Sequence, residues 1–149
     1  MELEQLLQQI HQAFASVRLP RKRVAPHHCV ECDDVVAFLQ GRTRESLDRD
    51  EVGIFGNTTI HLISPQAIQY YFPQILEKAL SPEESDFLMD ILYFLGSESS
   101  HTASQVSLFT KEQRQAVLNF LQFIKSNRYP DVVNYLFADE LERAIKIWT

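Results

Sequence analysis

Leu3, Leu6, Leu7, Ile10, Phe14 and Val17 recur at the spacing of one helix face, with Glu and Gln filling the other. That i, i+3, i+4, i+7 pattern predicts an amphipathic helix over 2–17. Leu19-Pro20-Arg21 ends it, because proline removes a backbone donor and crowds the preceding turn. Cys32, Val35, Val36 and Leu39 repeat the spacing, and Gly41 stands where a helix closes on a left-handed residue. Residues 42–50 are polar around Leu47 and read as a loop or a single helical turn. Val52 to Ile60 is β-branched and aromatic around Gly56-Asn57, which leaves room for one short β-hairpin near 52–62, leaning on helices.

The second half is more strongly helical. Ser64-Pro65 is a start signal: serine caps free amides and proline suits the first turn. Ile68, Tyr71, Phe72, Ile75 and Ala79 then form one stripe, widened by Tyr70, Leu76 and Leu80 into a helix contacted from several sides. Pro73 should kink or split it near Phe72. Ser81-Pro82-Glu83-Glu84 reads as a second start, followed by Phe87, Leu88, Ile91, Leu92 and Leu95 and closed by Gly96. Residues 97–107 are serine-rich and read as a mobile loop carrying His101. Thr110 with Gln113 makes a capping box before Val117, Leu118, Leu121 and Ile124. A break at 127–130 precedes a last helix with Val133, Leu136, Phe137, Leu141, Ala144, Ile145 and Trp148. No internal repeat appears. The pattern predicts a mainly α chain, a single domain over 1–149 built as a bundle of about six helices.

Composition agrees. Hydrophobic residues at 45% and aromatics at 11% can fill a core, and four glycines disfavour a hairpin-rich fold. A net charge of -6 argues against nucleic-acid binding, which needs phosphate neutralisation. No run approaches the ~20 apolar residues of a membrane span, and Met1-Glu2-Leu3-Glu4-Gln5 is not the start of an export signal. The expectation is a cytoplasmic protein with no membrane partner. Against the overall acidity, Arg18, Arg21, Lys22 and Arg23 crowd one loop. The bland reading is a solvated loop, and the sharper one is a phosphate or acidic-partner contact, with Arg21, Lys22, Arg23 and Tyr70 as the candidate partner-binding residues.

The densest chemistry is His27-His28-Cys29-Val30-Glu31-Cys32-Asp33-Asp34, which holds both cysteines. Two sulfurs three positions apart can converge on zinc at ~2.3 Å, but structural zinc wants four ligands. The candidate set is His28, Cys29, Cys32 and His61, with His27 and His101 as alternatives. A redox pair is the second option, since a helix start lowers a thiol pKa. Glu31, Asp33 and Asp34 work against it. In a chain without an export signal, thiols or metal ligands are expected before a structural disulfide. The reading that outweighs both makes the cysteines small core residues that begin a helix, with Cys32 in register with Val35 and Leu39.

His28-Cys29-Val30-Glu31-Cys32 with Gly41, Ile60-His61-Leu62-Ile63-Ser64-Pro65-Gln66-Ala67-Ile68-Gln69-Tyr70-Tyr71-Phe72-Pro73, and Phe109-Thr110-Lys111-Glu112-Gln113-Arg114 follow one another in that order along the chain. They resemble an uncharacterised family of small bacterial helical proteins, a domain of unknown function, over roughly residues 27 to 125. The family pattern has a tryptophan near Arg44 and an arginine near Gln69, and this chain departs from it at both. The resemblance implies a helical fold and brings no activity.

No phosphate loop, Gly-x-Ser-x-Gly or His-Glu-x-x-His motif is present, so no catalytic residue is expected and an enzyme is disfavoured. The expected function is a non-catalytic protein-interaction module without cofactor. The alternative is a small zinc-binding or thiol-dependent protein centred on His28, Cys29 and Cys32.

Overall fold

Ser64 and Pro65 start the helix about which the others pack. Ser64 Oγ accepts from the Ala67 amide at 3.2 Å, and Pro65 occupies the first turn, where a missing N–H costs nothing. A computed structural model describes residues 1–149, the side chain at position 58 excepted. Among the described residues the chain forms nine α-helices: α1 (Leu3–Ala13), α2 (Val30–Leu39), α3 (Arg49–Phe55), α4 (Pro65–Leu80), α5 (Ser85–Leu95), α6 (Ser100–Leu108), α7 (Lys111–Asn127), α8 (Tyr129–Asn134) and α9 (Ala138–Trp148). Two 3₁₀ turns, Arg44–Ser46 and Thr58–Leu62, flank α3, and there is no strand among the described residues.

Helix α4 is buried on nearly every side, as its wide apolar surface predicts, and packs against α1, α3, α5 and α6. It runs unbroken through Pro73. Helix α7 lies on α1 and α9, and α9 also packs on α5. Phe14, Phe72, Phe109 and Trp148 meet at ring separations of 5.1–5.9 Å and join α1, α4 and α9 through one aromatic cluster. Polar pins fix the register. The Gln113 amide donates to Ala13 O at 3.2 Å while its oxygen accepts from Gln69 at 2.8 Å, so one side chain ties α1, α4 and α7. No helix among the described residues is long and apolar enough to cross a membrane.

The expected hairpin near 52–62 is replaced by α3 and a 3₁₀ turn. Asp48 and Glu51 form a capping box, each side chain bonding the other's amide, and the helix it starts buries Val52 and Phe55 one turn apart. The serine-rich stretch is helix α6, not a mobile loop. Ser99 caps it, the Thr102 hydroxyl donates to Phe94 O at 2.6 Å, and Gln105 donates to Pro65 O at 2.9 Å. Its inward face is anchored by hydrogen bonds in place of an apolar stripe. Ser81 closes α4 instead of opening α5, which starts at Ser85. The expected last helix is two, α8 and α9, separated at Leu136, whose φ of 61° no helix tolerates. Leu136 is therefore 86% exposed where the periodicity placed it inward.

Candidate functional site

Two segments converge at the start of α2. The loop over residues 22–25 lies along the helix because the Gln40 side chain, at its far end, accepts from the Val24 amide at 2.8 Å and donates to Lys22 O at 3.1 Å. Val24 O in turn accepts from the Ser64 amide at 2.7 Å, so the loop is fixed to α4 as well. The Arg23 guanidinium then crosses to the first turn of α2. It donates to the carbonyls of Ala25 and His27 and pairs with the Asp33 carboxylate.

Cys29 is the N-cap of α2. Its Sγ accepts from the Cys32 amide at 3.2 Å, the place serine or aspartate usually fills. Cys32 lies one turn on, fully buried, in register with Leu39 as the spacing predicts, while Val35 and Val36 are half-buried. Cys29 is exposed, so only half of the core-cysteine reading holds. The two are joined as a disulfide with Cα atoms 5.0 Å apart, within the ordinary bridging range, where free thiols or metal ligands were expected. Around the outer sulfur His27, His28, Val30 and Glu31 all face solvent, and Val30 is 79% exposed.

The four expected metal ligands do not assemble. His61 lies on the second 3₁₀ turn facing His101 of α6, with ring centroids 6.4 Å apart. Among the described residues no three His, Cys, Asp or Glu side chains come together to hold a metal ion. The expected partner surface divides too. Arg21 and Lys22 are exposed, Arg23 is committed to Asp33 and two carbonyls, and Tyr70 belongs to the core at 5% exposure. The Tyr70 hydroxyl accepts from the Arg44 amide at 3.1 Å and its ring lies 4.9 Å beneath the Arg44 guanidinium.

Chemically, the arrangement is a dithiol–disulfide pair with one exposed and one buried cysteine. A thiolate at Cys29 gains from the Cys32 N–H and from the positive end of the helix. Glu31 and Asp34 oppose it, while Asp33, the third acid that argued against redox chemistry, is paired to Arg23. The spacing alone showed the pair. It put Cys32 on the buried stripe but gave no sign that Cys29 faces out, nor of the arginine that offsets one acid. No family model, no curated protein and no solved structure matches this chain.

Proposed function

We propose that Cys29 and Cys32 form a thiol–disulfide exchange pair through which the chain passes two electrons to or from a partner disulfide. The observation that carries the reading is an exposed Cys29 at a helix start, bridged to a fully buried Cys32. In the reduced chain the Cys29 thiolate attacks one sulfur of a partner disulfide. A mixed disulfide forms and one partner thiolate leaves, taking up a proton. The Cys32 thiolate then attacks Cys29 Sγ, restoring the internal bridge and releasing the second partner thiol. A small dithiol or glutathione reverses the cycle, so electrons and protons balance at each step. Shielding of Cys32 makes Cys29 the only entry point.

Loop length supports exchange over stapling. The bridge spans a sequence separation of 3. A closure that short stabilises by only about 2 kcal/mol on the chain-entropy model, against ~4.7 for a 100-residue loop. Trapping tests the proposal. Cys32→Ser incubated with oxidised glutathione should accumulate a Cys29–glutathione adduct by mass spectrometry, and Cys29→Ser should stay unmodified in the folded state. Equal reactivity of the two variants would sink the assignment.

A second reading, the non-catalytic interaction module, is favoured by the exposed strip of Tyr129, Val133, Tyr135 and Leu136 on α8 and its exit turn. A partner bound by the parent chain and lost on Leu136→Asp would support it, and retention would reject it.

A further inference from the structure

Away from the cysteines, His61 and His101 form opposite walls of a cleft of about 360 Å³, lined also by Asn57, Ile60, Asp90 and Tyr93. Three elements build it: the second 3₁₀ turn brings His61, α5 brings Asp90 and Tyr93, and α6 brings His101. The walls are tied together. The Thr102 hydroxyl, next to His101, donates to Phe94 O on α5 at 2.6 Å. Gln105 of α6 holds Pro65 O, just beyond the 3₁₀ turn, at 2.9 Å. Ile60 and Phe94 make a buried apolar floor, while both imidazoles and Tyr93 are exposed at the mouth. The size falls in the ordinary range for small-molecule sites, which combine an apolar lining with a few convergent polar groups.

Among the described residues, none of the His61, His101 or Asp90 side chains enters a hydrogen bond or ion pair within the fold. Asp86, one turn before Asp90, is instead engaged by the Tyr135 hydroxyl at 2.6 Å. We propose that this cleft binds a small organic ammonium ion with an aryl or alkyl body. Asp90 would meet the charge, the imidazole and phenol rings would flank it, and Ile60 and Phe94 would receive the apolar part.

Charge selects the class. Among the described residues Asp90 is the cleft's only carboxylate and no lysine or arginine lines it, so an anionic ligand would meet repulsion unopposed. Burial, reinforced by Asp86, holds the Asp90 carboxyl above its ordinary range, and a bound cation relieves that cost. Aromatic faces around a cation add attraction of their own. Two facing histidines also suggest a transition metal. The donor count disfavours it, since no third ligand joins them among the described residues.

The test uses phenethylammonium as probe and 3-phenylpropionate, of similar shape and opposite charge, as its control. At pH 8, where an ordinary imidazole is neutral, phenethylammonium should shift the imidazole NMR signals of His61 and His101. Those of His11, His27 and His28, which lie outside the cleft, should stay in place. Asp90→Asn, checked for folding by its thermal melt, should weaken the probe at least tenfold, and 3-phenylpropionate should leave all five signals unmoved. The proposal is overturned by an absence of shifts at millimolar probe, by equal binding of the anion, or by an Asp90→Asn variant that binds as well as the parent. It is also overturned if one equivalent of zinc shifts both rings and blocks the probe.

Discussion

Replacing Arg44 with methionine keeps an apolar stem of similar length and removes every donor at its end. Arg44 is 9% exposed, and its guanidinium reaches two elements at once. It donates to Phe14 O and Tyr70 O at 3.1 Å and, more weakly, to Ala15 O at 3.5 Å. The carbonyls of residues 14 and 15 follow the last turn of α1, where helices leave acceptors without internal partners. Phe14 O keeps a second donor, the Val17 amide, so its loss is partial. Charged hydrogen bonds contribute roughly 1.5–3 kcal/mol each, and two good ones with one partly compensated give about 3 kcal/mol in total. For a chain this size 1 kcal/mol moves the melting temperature by roughly 2–4 °C, so Arg44→Met should melt about 6–12 °C lower by circular dichroism. Glu45→Ala is the internal control. Its carboxylate is 71% exposed and pairs with Arg44 at 3.4 Å, an interaction worth at most ~1 kcal/mol. If Arg44→Met falls by under about 3 °C, or no further than Glu45→Ala, the two-element clamp is wrong.

Three further outcomes are expected. Gly96→Ala places a Cβ 2.5 Å from Glu140 O, where α5 and α9 touch through backbone. It should cost about 1–3 kcal/mol in urea unfolding, and a neutral result would mean the contact is looser than it stands. Burial raises the Tyr71 phenol far above its ordinary value, its hydroxyl donating to Leu39 O and Arg42 O. The folded chain therefore holds that proton more tightly than the unfolded one. The contribution is complete below pH ~10 and is lost as pH climbs above it. Tyr71→Phe should flatten that alkaline loss and lower neutral-pH stability by about 1–3 kcal/mol. Reduction of Cys29–Cys32 with a dithiol should lower urea stability by about 2 kcal/mol and leave the far-ultraviolet helical signal unchanged. Collapse of the helical signal would mean that the bridge is a staple after all.

Much of the helical framework is written in local chemistry. The Ser64-Pro65 start, the Thr110–Gln113 capping box, the Gly96 stop and the left-handed Gly41 all stand where the residues predict, Gly41 at φ 80°. These signals act within one turn, so no distant contact overrides them. The failures come where tertiary partners decide. Helix α3 is short and glycine-bearing, and its β-branched run resembles a strand until the Asp48–Glu51 box is weighed. Helix α6 lacks an apolar stripe because Thr102 and Gln105 face inward and bond to carbonyls of α5 and α4. Leu136 carries no residue-level mark of its left-handed turn, since position 136 is neither glycine nor asparagine. At the cysteine site the pair and its helical register were legible, but the exposure of Cys29 was not. Arg44 was hidden for the same reason: a buried arginine in a polar stretch looks solvated until the carbonyls it serves are known.

The Gln113 bond to Ala13 joins residues 100 positions apart. On the ribosome, at roughly 5–20 residues per second, α1 must wait about 5–20 s for α7 to be made. Through that interval Leu6, Ile10 and Phe14, all fully buried in the finished fold, have α4 but not α7 to cover them. A nascent chain arrested before residue 111 would thus present α1 with the face that α7 covers still open. Burial of α1 is therefore completed late, when α7 closes over the face that α4 leaves open.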